Sequence, residues 1–133
     1  VKQRVHCLGW KNNPWSFVEQ ADAVVLASDF EGYHLTAIEA QANGLMVLAT
    51  SVSGIEELIT PGENGYLFPC GDWKALSDIL FQLAKGQLSF ADPEICRGRV
   101  AKFEKNVALE DFYDKLCNIM KQREAVLLGV LIA

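Results

Sequence analysis

The sequence predicts an α/β fold, a Rossmann-like doubly wound parallel sheet with its ligand edge at the carboxyl ends of the strands. Three observations carry that reading. The apolar runs Ala23-Val24-Val25-Leu26-Ala27 and Met46-Val47-Leu48-Ala49-Thr50 have the length and composition of strands buried on both faces. Helix-period segments alternate with them. The residues that neither strand nor helix requires, Gly9, Glu31 and Ser53 among them, fall in the strand-to-helix loops 9–13, 28–34 and 50–54.

Taken in order, Arg4-Val5-His6-Cys7-Leu8 reads as a first strand ended by Gly9, with His6 a partly buried strand histidine rather than a ligand. Asn12-Asn13-Pro14 offers a cap and a first-turn proline for a helix to about Gln20. The second strand is Ala23–Ala27. A helix follows the loop and stops at Asn43-Gly44, with Leu35, Ile38 and Ala42 spaced to bury one face and Glu39 in its second turn. After the third strand, Met46–Thr50, a short helix ends near Thr60-Pro61. Ser53 with Glu56 matches a capping box there, which makes Glu56 a cap and not a catalytic acid.

Pro61-Gly62-Glu63-Asn64-Gly65 is a turn by its residues, and Tyr66-Leu67-Phe68 is a short fourth strand. Asp72 caps a helix from Trp73 to about Lys85, with Leu76, Ile79, Leu80 and Leu83 on one face. Asp92-Pro93 starts another, to about Lys105. A last helix from Leu109 to about Glu124 carries the stripe Phe112, Leu116, Ile119 and Met120, read as core packing. The domain is thus residues 1–124. The apolar tail 125–133 is expected to pack on the core or on a neighbouring molecule.

The chain has 133 residues, enough for one domain with a real core. A net charge of −5 without a Lys/Arg cluster excludes a nucleic-acid surface. Four scattered cysteines, with no C-x-x-C pair and two histidines, argue against a metal site and for reduced, buried thiols in a cytosolic protein. No signal peptide is expected from the opening residues, and the tail is too short to span a bilayer and lacks the basic face of an interfacial anchor.

The chemistry concentrates in 23–44. A helix opening at the carboxyl end of a strand offers unpaired N–H groups to an anion such as phosphate. Glu31 lies beside that position and Glu39 one turn further on. Two acids around phosphate alone would repel it, so the ligand also carries hydroxyl-rich rings. A nucleoside diphosphate sugar satisfies both demands.

Glu31 and Glu39, with seven residues between them, resemble the E-x7-E motif of retaining GT-B glycosyltransferases of family 4. The likeness extends from about residue 5 to 85. It takes in Ala21-Asp22, Val24 to Ser28, Glu31-Gly32-Tyr33, Glu39-Ala40, Val47 to Thr50, Gly54 to Glu57, Gly62 to Leu67, Gly71-Asp72 and Ala75-Leu76. The resemblance implies a donor-binding, C-terminal GT-B half. Glu31 would be the catalytic acid beside the donor sugar, Gly32 would permit close approach, and amides around Tyr33, His34, Leu35 and Thr36 would face the diphosphate. Glu39 would hold ribose hydroxyls, Gly9 and Trp10 would lie by the base, and Ser53 and Gly54 would line the far side. Glu57 takes the acid position of the family's GGxxE.

Three departures stand out. His34 replaces a glycine and would contact or select the sugar, and Met46 replaces a proline. The basic pair that neutralises the diphosphate lies upstream in the family, and Lys2 and Arg4 are too close to the first strand to serve. The chain is therefore expected to start inside a domain, with an N-terminal acceptor domain missing. The implied partners are a UDP- or GDP-type nucleotide sugar and a glycan or lipid-linked acceptor, with no cofactor and no metal. The implied location is the cytoplasm, with peripheral association of the full-length protein on the membrane. Two other readings share the fold: a non-catalytic nucleotide-sugar-binding module, and the nucleotide-sugar 2-epimerases, which lack this two-acid pattern.

Overall fold

Strands β1 (Ala23–Leu26), β2 (Met46–Thr50) and β3 (Gly65–Phe68) form a parallel sheet in that order. The computed structural model describes residues 5–18, 20–52 and 54–131, with side chains as far as Lys121. Ala23 of β1 pairs with Met46 and Leu26 with Ala49, while Val47 of β2 pairs with Gly65 and Thr50 with Phe68. Every residue of β2 is buried, as a central parallel strand requires. Met46 and Leu48 cluster with Leu83 of α2 (Trp73–Ala84), flanked by Leu76 and Ile79. By strand alternation Val47 and Ala49 face the other side, where Ala49 and Ala37 of α1 (Leu35–Ala42) line one recess. Both faces of β2 are covered, and the doubly wound α/β fold is the one observed.

Helix α1 buries Ala37, Ala40 and Gln41, not the expected Leu35, Ile38 and Ala42: Leu35 and Ala42 are exposed and Ile38 is half-buried. Alanines let the helix approach the sheet closely, and Gln41 is tolerated there because its Oε1 accepts from Asn64 Nδ2 at 2.9 Å. The helix ends as Asn43-Gly44 predicts. Leu45 N–H donates to the Ala40 carbonyl and Gly44 N–H to Gln41, with Gly44 at φ +77°. Asp72 caps α2, its Oδ1 accepting from Ala75 N–H at 2.9 Å.

Several expectations need correction. Residues Val5–Leu8 form no strand and are exposed, His6 with them, because no neighbouring strand completes their hydrogen-bond ladder among the described residues. The helix expected from Pro14 to Gln20 is one 3-10 turn, Pro14–Phe17; Asn13 makes no side-chain cap, and its carbonyl accepts from Ser16 Oγ. The short helix after β2 is likewise a 3-10 turn, Ile55–Glu57, opened by Gly54 at φ +88°. Glu56 accepts from Ser51 Oγ at 2.7 Å; Ser53, its expected capping partner, lies outside the described residues, as do Lys2 and Arg4. Of the four cysteines only Cys96 is buried, although all four are free thiols.

The chain divides into two compact units, residues 1–99 and 100–133. The helix from Pro93 stops at Val100 (α3, Pro93–Val100), short of Lys105. In the second unit a 3-10 turn, Ala101–Phe103, precedes α4 (Lys105–Leu131), which continues past Glu124. Phe112, Leu116, Ile119 and Met120 are exposed rather than core, since one helix and one turn provide no second layer to cover them. The side chains of the tail 125–133 lie outside the described residues.

Gly65 sets how closely β3 joins β2. A Cβ there would stand 2.1 Å from the Val47 carbonyl oxygen and 3.0 Å from Ile59 Cγ2. Gly65→Ala should therefore cost about 1–3 kcal/mol in denaturant unfolding. Gly32→Ala, where a Cβ meets open space, should stay within about 0.5 kcal/mol. Equal stability of the two variants would contradict the β2–β3 register.

Candidate functional site

Because β1 and β2 are parallel, the loops that leave their carboxyl ends emerge side by side. Thr50, the buried last residue of β2, donates its Oγ1 hydrogen to the Ser28 carbonyl at 2.5 Å and ties the two loops together. Ser28 Oγ in turn donates to Glu31 Oε1 at 2.7 Å. The Glu31 carboxylate, half-buried, is thereby fixed at the strand edge rather than left to swing from an open loop.

His34 occupies the cap position of α1 but does not cap it with its side chain. Its ring is buried and turned towards the loop after β2, with Nε2 3.6 Å from where a Cβ on Gly54 would be. Ser28, Glu31, His34, Thr36, Thr50 and Val52 line a small recess at this edge. It has room for about one water molecule. The Leu35 N–H is taken up by the Tyr33 carbonyl at 2.8 Å. The first-turn N–H groups that follow have, by helix geometry, no intrahelical acceptor. Gly32 and the side chains of Tyr33 and Leu35 are exposed around the mouth.

Glu39 lies on the exposed side of α1, where its Oε2 accepts from Trp15 Nε1 at 3.2 Å. Trp10, expected by the base, is 84% exposed. Gly9 is exposed at φ +63° and is not among the residues of the recess. Ser53 lies outside the described residues, and Glu57 is exposed. The fold thus brings Glu31, His34 and Thr36 together around the recess, with Gly54 beside the His34 ring; Gly9 and Trp10 are not among the residues that line it.

Ser28 and Thr50 were legible only as a turn hydroxyl and a strand end, and their roles depend on the pairing of β1 with β2. On the same edge, Cys70 Sγ donates to Asp29 Oδ1 at 3.1 Å. That hydrogen bond, with some burial and the aspartate's charge, pushes the thiol above its ordinary range and keeps it protonated. Among the described residues no group of three or more His, Cys, Asp or Glu side chains could hold a metal ion, and no helix is long and apolar enough to cross a membrane.

Residues 1–97 match the family described as glycosyl transferases group 1. The lipopolysaccharide 1,6-galactosyltransferase of Salmonella typhimurium is 29% identical over 84% of this chain and 32% of its own length. The N-acetyl-alpha-D-glucosaminyl L-malate synthase of Bacillus anthracis is 34% identical over 65% of the chain and 23% of its own length. Among solved structures, the apo form of the lipopolysaccharide outer core galactosyltransferase WaaB superposes with a TM-score of 0.77 at 28% identity, covering 88% of this chain and 34% of that one. The chain therefore spans about a third or less of the length of these relatives.

Removing only the hydroxyl that joins the two loops tests whether it holds the edge. Thr50→Val should lower stability by about 0.5–1.5 kcal/mol. Hydrogen exchange should quicken at the amides of residues 28–31 while the β1–β2 ladder stays protected. Unaltered exchange in that loop would show the bond to be idle.

Proposed function

The chain belongs to the glycosyl transferases group 1 family, and on that premise we propose that it is the donor-binding domain of a retaining glycosyltransferase. The reaction would move a hexose-type sugar from a UDP- or GDP-type nucleotide sugar to a glycan or lipid-linked acceptor. The observation that carries this reading is the Thr50–Ser28–Glu31 chain of hydrogen bonds, which fixes a carboxylate at the strand edge beside the opening of α1. In the proposal the first turn of α1 receives the diphosphate, and Glu31 stands beside the sugar. His34 shapes the sugar's side of the recess, and Glu39 takes ribose hydroxyls. Gly32 agrees with it: the residue is exposed and a Cβ there would meet open space, which leaves room for a ligand to approach.

The chemistry asked of these groups is mainly electrostatic. The leaving diphosphate must have its charge met as the glycosidic bond breaks, and the acceptor must be held against the anomeric carbon. The helix N-terminus supplies part of the first. In the proposal the second comes from an acceptor domain outside residues 1–133, and the whole protein works in the cytoplasm, peripherally on the membrane. The names of relatives, lipopolysaccharide galactosyltransferases and a lipopolysaccharide core mannosyltransferase among them, support a glycolipid or polysaccharide acceptor. A second reading, a non-catalytic nucleotide-sugar-binding module, has one observation in its favour: among the described residues no lysine or arginine lines the recess.

Two measurements test the proposal. Within the full-length protein, Glu39→Gln should weaken donor binding by about 1–3 kcal/mol, the cost of leaving ligand hydroxyls unpaired, with the melting temperature almost unmoved. A large loss of stability with unchanged binding would make Glu39 structural. Residues 1–133 alone should show no turnover, because the site lacks acceptor positioning and much of the charge compensation, each commonly worth several kcal/mol. Titrating UDP-, GDP- and ADP-sugars into isotopically labelled chain should shift resonances near Glu31 and Glu39. Sugar transfer by this chain alone would overturn the division of labour between two domains.

A further inference from the structure

We infer that Trp15 is a positioning residue for Glu39, holding one oxygen of its carboxylate so that the other meets a pair of vicinal hydroxyls on the ligand. The inference rests on the donor-binding reading above. It adds a residue that neither the two-acid spacing nor the recess includes.

The indole N–H of Trp15 is a single donor, and at 3.2 Å it is given to Oε2 of Glu39 across 24 residues of sequence. Glu39 is otherwise an exposed acid on an eight-residue helix. An exposed glutamate samples several rotamers, and ordering it on binding costs free energy. A hydrogen bond that selects one orientation beforehand removes part of that cost. A carboxylate has two oxygens with several acceptor sites between them. One filled by the indole leaves the other for a diol.

Trp15 is itself held. It lies in the 3-10 turn Pro14–Phe17, started by a proline whose ring fixes the backbone angle. The turn is closed by Ser16 Oγ on the Asn13 carbonyl and by Val18 N–H on the Trp15 carbonyl at 3.2 Å. Lys11 Nζ sits 5.5 Å from the centre of the Phe17 ring and braces the same turn. The turn is mostly solvent-exposed and buries little beyond part of Trp15 and Val18, so core packing does not account for it. Holding the indole against α1 does.

The test uses the full chain, isotopically labelled, with UDP and GDP, each compared with its 2′,3′-dideoxy form. The indole resonance of Trp15 is the one lost in Trp15→Phe. Glu39→Gln, which replaces the carboxylate acceptor of that N–H, should shift it. The wild type should bind at least one ribonucleotide more tightly than its dideoxy form. Trp15→Phe should weaken that ribonucleotide roughly five- to tenfold, as for one lost hydrogen bond, and leave the dideoxy form unchanged. Unchanged β1–β2 amide shifts would show that the variant is folded. Equal weakening of both forms would mark Trp15 as structural, no weakening would mark the contact as idle, and either overturns the inference. If the wild type prefers neither ribonucleotide, the donor-site reading itself fails, and the inference with it.

Discussion

Asn64 is the residue on which the rest of the first unit depends. It is fully buried, and its side chain makes three hydrogen bonds: Oδ1 accepts from Thr60 N–H at 2.7 Å, and Nδ2 donates to the Leu58 carbonyl at 2.7 Å and to Gln41 Oε1 at 2.9 Å. Its own carbonyl accepts from Val47 N–H at 3.2 Å. One residue, through its side chain and its backbone carbonyl, thus joins the end of α1, the loop after the second 3-10 turn and the start of β2. A buried polar group left unpaired costs about 1–3 kcal/mol, so each partner constrains the others. Gln41 Nε2 is the cost the network carries, a buried donor with no hydrogen-bond partner.

That junction lies at the end of the sheet opposite the candidate site, and this separation has a consequence. The amino end of β2 is fixed by Asn64 and by the approach of Gly65 to Val47, while the carboxyl end carries Thr50 and the two loops. The carboxyl end can therefore hold polar groups with ligand-binding capacity because the opposite end supplies the structural restraint. α1 links the two, its last turn bonded to Asn64 and its first turn opening beside Glu31. A helix held at its carboxyl end has little freedom to tilt at its amino end.

The second unit shows a different balance. α4 runs from Lys105 to Leu131 and exposes Phe112, Tyr113, Leu116, Ile119 and Met120 within residues 100–121. Its intrahelical hydrogen bonds are satisfied locally, so the helix can form without a second layer, but its apolar side chains gain nothing from water. Lys115 bonded to Asp111 at 2.6 Å is the sort of surface ion pair that adds a few tenths of a kcal/mol to a helix.

Much of this protein was legible in its sequence. The strands Ala23–Ala27 and Met46–Thr50 and the helix stop at Asn43-Gly44 follow from apolar runs and glycine placement, because burial and left-handed backbone are demanded residue by residue. The family resemblance rests on the same stretch, and Glu31 lies where the strand-loop-helix reading puts it. What failed were elements whose existence depends on partners. Residues 5–8 have strand composition, yet a strand is defined by the ladder it joins. Residues 14–20 have a helix start, yet little of the face a helix must bury. Only the tertiary structure decided that Thr50 steadies Ser28, that His34 faces Gly54 and that Trp15 reaches Glu39. Those contacts cross between 15 and 30 residues of sequence. Local propensity specifies backbone at short range, whereas side chains that distant meet only through the register of the parallel sheet and the tilt of the helix on it.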